Sequence, residues 1–360
     1  MACNCPSRRL KKAGSPRGLS NSHELTRDPM KLDGVLAFIT GGAGFVGSHL
    51  ADLLLQRGNE VVAYDNFNPF YSGKERNVAQ NLHKNGYRLV RSDILDYPTL
   101  VKAMEGSDIV FHQAAQPGVR YSIEHPLESH EINVTGTLNV LLAAKELKIP
   151  KVIFASSSSV YGVPLSLPMS EDHPTNPNSP YAASKLAAEK YCKVFSEIYG
   201  LDVVMLRYFS VYGPRGRPDQ VIKSFVDKVA LGLSPVIYGD GGQTRDFTYV
   251  SDVVDANILA AEGEGVSGEV FNVGFGRQVE IKKLAEMIID LMGKTGEIPL
   301  VYEESYAGDF PDTCADIAKA SRLLGYSPKV DLKEGLKRFV SWYQANTERQ
   351  KSRDQPRGIP

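Results

Sequence analysis

The chain has 360 residues, a formal charge of −1, 42% hydrophobic and 23% charged residues, and four cysteines. That length can bury one large core or two smaller ones without a disulfide or metal staple, and the composition excludes a chain disordered throughout, a collagen and a disulfide scaffold. Lys+Arg 41 against Asp+Glu 42 leaves no cationic surplus for nucleic acid or an anionic membrane, and no apolar run approaches the roughly 20 residues of a membrane span.

The charge is uneven. Residues 1–29 carry Arg8, Arg9, Lys11, Lys12, Arg17 and Arg27 against Glu24 and Asp28, so the remainder is mildly acidic. A disordered extension over 1–30 is expected, and Met30, just before the first apolar run, is a candidate start. Cys3 and Cys5 stand too close for a zinc framework, and Cys192 and Cys314 are isolated, so no metal and a reducing, cytoplasmic setting are expected.

In chain order, Val35–Ile39 is a short apolar run between glycines and reads as a buried parallel strand. Phe45 to Arg57 then places Val46, Leu50, Leu53 and Leu54 on one helical face, with Gly58 where the helix should stop. Glu60–Asp65 is the next strand. The alternation continues with a strand over 88–91, a helix over 97–104, a strand over 109–112, a long helix over about 127–147, a strand over 151–155, a helix over 181–199 and a strand over 203–208. Such regular trading of strand and helix predicts an α/β protein with a doubly wound parallel sheet. The rhythm breaks at Gly213–Pro218. The predicted organisation is a cofactor-binding domain over 31–212, a smaller C-terminal substrate-binding lobe mainly over 213–345, and a charged, frayed tail over 346–360.

Between the first strand and first helix lies Thr40–Gly41–Gly42–Ala43–Gly44–Phe45–Val46–Gly47. Glycines there allow a tight turn and close approach of backbone to a pyrophosphate, which the helix N-terminus attracts. A glycine triplet alone is weak evidence; here Asp65, at the end of the second strand, completes a dinucleotide fingerprint. A carboxylate at that point accepts from a ribose 2′-OH and repels a 2′-phosphate, so NAD is expected, with Asn66 following and no arginine beside it. Asp93–Ile94, after the third strand, could border the adenine or form a plain turn.

Tyr181 and Lys185, four apart, open a helix after Ser179–Pro180 and share one face. An ammonium nearby lowers a phenol's pKa and makes it a usable base. Such pairs also occur on any surface helix. The third element is the run Ser156–Ser159 at a strand's C-terminal end, where ligands bind in such sheets. A hydroxyl there could relay a substrate proton to Tyr181.

Together the glycine loop, Asp65, the serine run and Tyr181/Lys185 resemble the extended short-chain dehydrogenase/reductase family with its Rossmann sheet, and within it the NAD-dependent nucleotide-sugar 4-epimerases. The resemblance spans about residues 35–340. It implies Tyr181, Lys185 and Ser157 as catalytic residues, with Ser158 as the near alternative to Ser157, and NAD held by Gly41, Gly44, Phe45, Val46, Gly47, Asp65, Asn66, Asp93, Ile94, Gln113, Ala114, Ala115, Tyr181 and Lys185. It implies a transient 4-keto sugar. Related dehydratases and decarboxylases carry acids in the serine run where this chain has Ser158 and Ser159, which favours epimerisation over those reactions. A non-catalytic NAD-binding sensor is the reading from another class, and the intact Tyr181/Lys185/serine set argues against it. The segment Gln113–Ile123 is similar to UDP-glucuronate 4-epimerases. Ser210 stands where UDP-glucose enzymes usually have Asn and glucuronate enzymes Thr, and Arg217 could pair with a sugar carboxylate or contact diphosphate. Arg245 matches a diphosphate contact, Tyr238 a place near uracil, and Asp309 a uridine-ribose contact, whereas Tyr306–Ala307 replaces a family arginine. UDP-glucose and UDP-glucuronate remain rival substrates. A homodimer through helices near 127–147 and 180–199 is also implied.

Overall fold

The structure, a computed structural model, describes residues 30–304 and 312–354, for 348–354 the backbone alone. The extension over 1–29, Tyr306, Ala307 and Asp309 lie outside the described residues.

Seven parallel strands form the central sheet. They are β1 (Leu36–Thr40), β2 (Glu60–Asp65), β3 (Tyr87–Arg91), β4 (Ile109–His112), β5 (Lys151–Ser157), β6 (Asp202–Tyr208) and the strand Val270–Val273. The order across the sheet is Val270–Val273, β6, β5, β4, β1, β2, β3, so the winding reverses between β1 and β4. The inner strands are largely apolar and buried because helices cover both faces, whereas the edge strand β3 carries Arg88 and Arg91. Along β1 the side chains alternate. Ala37 and Ile39 join a core with Leu50 and Leu54 of α1 (Phe45–Gln56) and Val253 of the helix Val250–Glu262. Phe38 joins the opposite core with Leu100, Val140 and Ala188, from the helices Tyr97–Met104, Gly136–Glu146 and Pro180–Tyr199.

Three local differences from the sequence reading matter. β5 runs on through Ser156 and Ser157, and Ser158–Tyr161 is a 3-10 turn, so the serine run is split between a strand end and a turn. The long helix over 127–147 is Pro126–His130, a π-helical turn at Glu131–Thr135, then Gly136–Glu146. The strand Val270–Val273 falls within 213–345 yet pairs with β6, so that stretch also completes the main sheet. The rest of it forms short strand pairs, such as Val236–Tyr238 with Val301–Glu303, and the packed helices Val221–Ala230, Ile281–Leu291 and Leu332–Asp354. That last helix continues past residue 346.

Candidate active site

The strand ends converge where the winding reverses. Gly41 leaves β1 with φ +67°, a conformation that favours glycine, and a Cβ there would stand 2.8 Å from the Ala114 nitrogen. A Cβ on Gly47 would stand 2.2 Å from the Gly41 carbonyl oxygen, so the loop closes only with glycine at that place. Gly44 is the N-cap of α1 and has no side chain with which to cap the first-turn amides. At the end of β2, Asp65 accepts from the Ala43 amide at 3.1 Å and the Phe67 amide at 2.8 Å, and Lys74 Nζ lies 3.5 Å away. Asn66 donates to Asp93 at 2.7 Å.

One cleft is lined by Gly41, Gly44, Phe45, Val46, Gly47, Asp65, Asn66, Asp93, Ile94, Gln113, Ala114, Ala115, Tyr181 and Lys185. All the residues expected at a cofactor therefore meet in one place. The cleft fits a dinucleotide in three parts: the uncapped turn of α1 for its diphosphate, Asp65 for a ribose diol, and Tyr181 with Lys185 at the far end. Tyr71 and Lys74 line it too, and the sequence reading missed them; Gln116 of the 113–123 segment and Ser156 of the serine run join them without having been assigned to the coenzyme.

A second cleft opens from the first. Ser157, Ser158, Tyr181, Ser210, Arg217, Tyr238 and Arg245 line it, together with Arg120. Tyr181 and Arg217 border both clefts. The Arg120 guanidinium lies 4.4 Å from the centre of the Tyr238 ring, so a face expected near uracil carries a cation from the first half of the chain. Arg120 stands on the helix Val119–Glu124, and its presence in the Gln113–Ile123 segment that resembles UDP-glucuronate 4-epimerases was the available signal. Arg217 makes a bidentate pair with Asp219, both bonds 2.9 Å, and its amide donates to Gln220.

Tyr181 enters the site on the first turn of its helix, capped by Ser179 accepting from the Ala182 amide. A buried chain of hydrogen bonds fixes that turn. Asn133, in the π-helical turn, donates to Ser184 at 2.9 Å, and Ser184 donates to the Tyr181 carbonyl at 2.8 Å. Asn133 also exchanges bonds with both backbone groups of Gln116. Behind it, His112 bridges Thr40 and Thr137, and burial pushes its pKa down to about 3. Thr137 donates to the Asn133 carbonyl, so it accepts from His112, which is therefore neutral with the proton on Nε2.

The electrostatics differ from expectation. Burial raises the pKa of the Tyr181 phenol, while Arg217 and a hydrogen bond with Ser157 lower it. Arg217 is thus a cation acting on this phenol that the four-residue spacing to Lys185 did not point to. Lys185 turns inward, its Nζ 4.4 Å from the Phe154 ring centre. Burial lowers it to about 8 against the opposing pull of Cys192 and Glu189. Glu189 is itself held by Arg207 in a bidentate pair at 2.9 and 2.8 Å and by Ser156 at 2.5 Å.

Fold and site together define an enzyme of the dinucleotide-binding α/β class, with a phenol at the junction of a coenzyme cleft and a second, cation-lined cleft. The NAD dependent epimerase/dehydratase family matches residues 37–274, and the chain belongs to that family. A UDP-glucuronate 4-epimerase of Thermodesulfobacterium geofontis is 37% identical over 87% of this chain and 98% of its own length. Among solved structures, a UDP-N-acetylglucosamine 4-epimerase of Methanobrevibacter ruminantium, in complex with UDP-N-acetylmuramic acid, is similar with TM-score 0.81 and 38% identity, over 87% of this chain and 99% of that one. A UDP-glucuronic acid 4-epimerase of Bacillus cereus, in complex with UDP-glucuronic acid and NAD, is similar with TM-score 0.79 and 36% identity, over 86% of this chain and 99% of that one. The enzyme is NAD-dependent. Among the described residues no helix is long and apolar enough to cross a membrane.

Proposed function

We propose that this chain is a UDP-sugar 4-epimerase, with the UDP-glucuronate/UDP-galacturonate pair as its preferred substrate. The observation that carries the reading is Tyr181 lining both clefts at their junction, with Ser157 beside it in the second cleft. Bound NAD supplies the acceptor, and later the donor, of the hydride at the sugar's C4. The chain does the rest. Asp65 and the α1 turn hold the coenzyme, and Lys185 holds its far ribose. Tyr181 takes the proton from the 4-OH, with Ser157 bonding the same oxygen, and Arg217 stabilises the phenolate. Once the 4-keto sugar has turned over and C4 has regained the hydride on its other face, Tyr181 returns the proton to the C4 oxygen.

The family includes dehydratases, so the fold does not choose the reaction. Ser158 and Ser159 leave no carboxylic acid at the turn where a second proton transfer would need one, and epimerisation needs none. Arg120, Arg217 and Arg245 line the second cleft with Ser157, Ser158 and Ser210. In this reading Arg217, which Asp219 holds in a bidentate pair, exchanges that carboxylate for the uronate's. Asp309 belongs to this proposal as the uridine-ribose contact.

The direct test is a panel of UDP-glucose, UDP-galactose, UDP-glucuronate, UDP-galacturonate and UDP-N-acetylglucosamine, incubated with purified protein and no added NAD, with products separated and identified. Interconversion of the 4-epimers, fastest for the uronates, is expected. A requirement for stoichiometric NAD, or a dehydrated product, would sink epimerisation; a preference for neutral sugars would sink the uronate assignment alone.

The same proposal includes a homodimer. Leu127 is 76% exposed and Ile198 70%, with Tyr191, Val194 and Tyr199 also exposed, on helices that pack together. Contiguous apolar surface of this kind favours burial by a second copy. Light scattering should give twice the chain mass, and Ile198→Asp should halve it. Cys192 and Cys314 are free and buried, which supports a reducing, cytoplasmic location that cell fractionation would test.

A further inference from the structure

The connection from β2 to the helix Lys74–Ala79 lines the coenzyme cleft with Asn66, Asn68, Phe70 and Tyr71. The Tyr71 hydroxyl, 26 residues on from Phe45, accepts from the Phe45 amide at 3.1 Å. That amide is the first donor of α1, one of the groups that an uncapped helix start offers to an anion. Both ends of the connection are tied to the glycine loop. Asp65 accepts from the Ala43 amide before it, and Asn77 donates to the Ala43 carbonyl at 3.0 Å after it. In between, Phe70 packs edge-on to Tyr121 with ring centres 5.0 Å apart, and Asn68 accepts from the Phe70 amide at 2.8 Å. Phe70 lines both clefts.

We propose that residues 67–73 are a strap that retains the coenzyme, with Tyr71 as the positioning residue that latches it. The argument is one of hydrogen-bond inventory. A phenol oxygen that accepts from Phe45 still has its own proton to give, and the neighbouring diphosphate is the natural acceptor. Tyr71 thus turns a backbone donor into a side-chain donor that moves with the strap. Burial pushes its pKa up to about 12, so the proton is present at every working pH. Among the contacts described, the strap is held down by side chains and by no sheet pairing, so it can lift without unfolding the sheet. An enzyme that oxidises and then reduces one substrate needs such retention, because coenzyme lost in its reduced form would leave the sugar stranded as a ketone; the proposal rests to that extent on the epimerase reading.

The test is the dissociation rate of NAD from the purified holoenzyme, followed by dilution into an NAD-scavenging enzyme, for the wild type and Tyr71→Phe. Loss of one hydrogen bond to a charged group should raise that rate by about tenfold or more. Phe70→Ala, which loosens the strap without touching the hydroxyl, should raise it as well, and serves if Tyr71→Phe does not fold by circular dichroism. Rates within about twofold of wild type for the folded variants would overturn the strap. The two readings fail separately. A wild type that holds NAD but epimerises no UDP-sugar overturns the epimerase alone, and an active epimerase whose variants hold NAD as long as the wild type overturns the strap alone.

Discussion

The two clefts share Tyr181 and Arg217 and are built in opposite ways. The coenzyme cleft takes its residues from successive strand ends: Gly41 after β1, Asp65 on β2, Asp93 after β3, Gln113 after β4 and Ser156 on β5. Parallel pairing holds those ends in register, so each contributor has a fixed place before any loop is considered. The second cleft gathers Arg120 from a short helix, Ser210 and Arg217 from a strand and loop, and Tyr238 and Arg245 from two small strand pairs. One side is set by a repeating unit, the other by where irregular segments come to rest. The difference suits an enzyme whose coenzyme is constant and whose substrate is a matter of choice.

The sharpest way to break this division is at the shared phenol. Tyr181→Phe should lower kcat by about 10³-fold, within the range for loss of a general base, while NAD remains bound. Loss of NAD as well would mean that the phenol holds the coenzyme and that the clefts are not separable at this point.

Arg217 comes next. Arg217→Ala should lower kcat/KM for both sugars through the Tyr181 phenolate, and for UDP-glucuronate by about a further hundredfold, the worth of a charge-assisted pair. Equal losses on both sugars would assign Arg217 to Tyr181 or the diphosphate, and not to a sugar carboxylate.

On the coenzyme side, Gly47→Ala forces a Cβ to 2.2 Å from a backbone oxygen. Overpacking of this kind should cost about 1–3 kcal/mol of stability, seen as a lower melting temperature with weaker NAD retention. An unchanged melting temperature would show that the loop is less tightly closed than its geometry indicates.

The smallest effect is on pH. Lys185 titrates at about 8, below its ordinary 10.5, because it is buried. A lowered folded-state value means that the ammonium opposes folding at neutral pH and that this opposition fades as pH rises from about 8 towards 10.5. Activity should therefore fall through about pH 8 with no loss of stability from this group. Parallel pH profiles of kcat/KM and melting temperature check this, and a stability loss that tracks the activity limb would remove Lys185 as its cause.

The sequence by itself determined the repeating half of the molecule. Apolar runs of strand length, helical periodicity and a glycine loop before Phe45 are local signals, and the strand ends that they define carry the coenzyme residues because chain order and sheet position are linked in a wound sheet. Val270–Val273 escaped because a four-residue strand amid turns has too little pattern to be seen. The π-helical turn at Glu131–Thr135 escaped because a shifted backbone hydrogen bond leaves no periodic trace. Tyr71 sat in an Asn–Pro–Phe–Tyr stretch whose aromatic pair beside Asp65 was the one available hint.

The tertiary structure alone placed Arg217 with Tyr181 at the meeting of the two clefts. Spacing on one helix put Tyr181 and Lys185 on one face; packing set the Lys185 ammonium against the Phe154 ring, and a loop from beyond β6 added Arg217, whose charge lowers the pKa of the phenol. Helical periodicity fixes which side chains share a face. It does not fix which of them reaches a given atom, since that depends on the packing of segments distant in the chain.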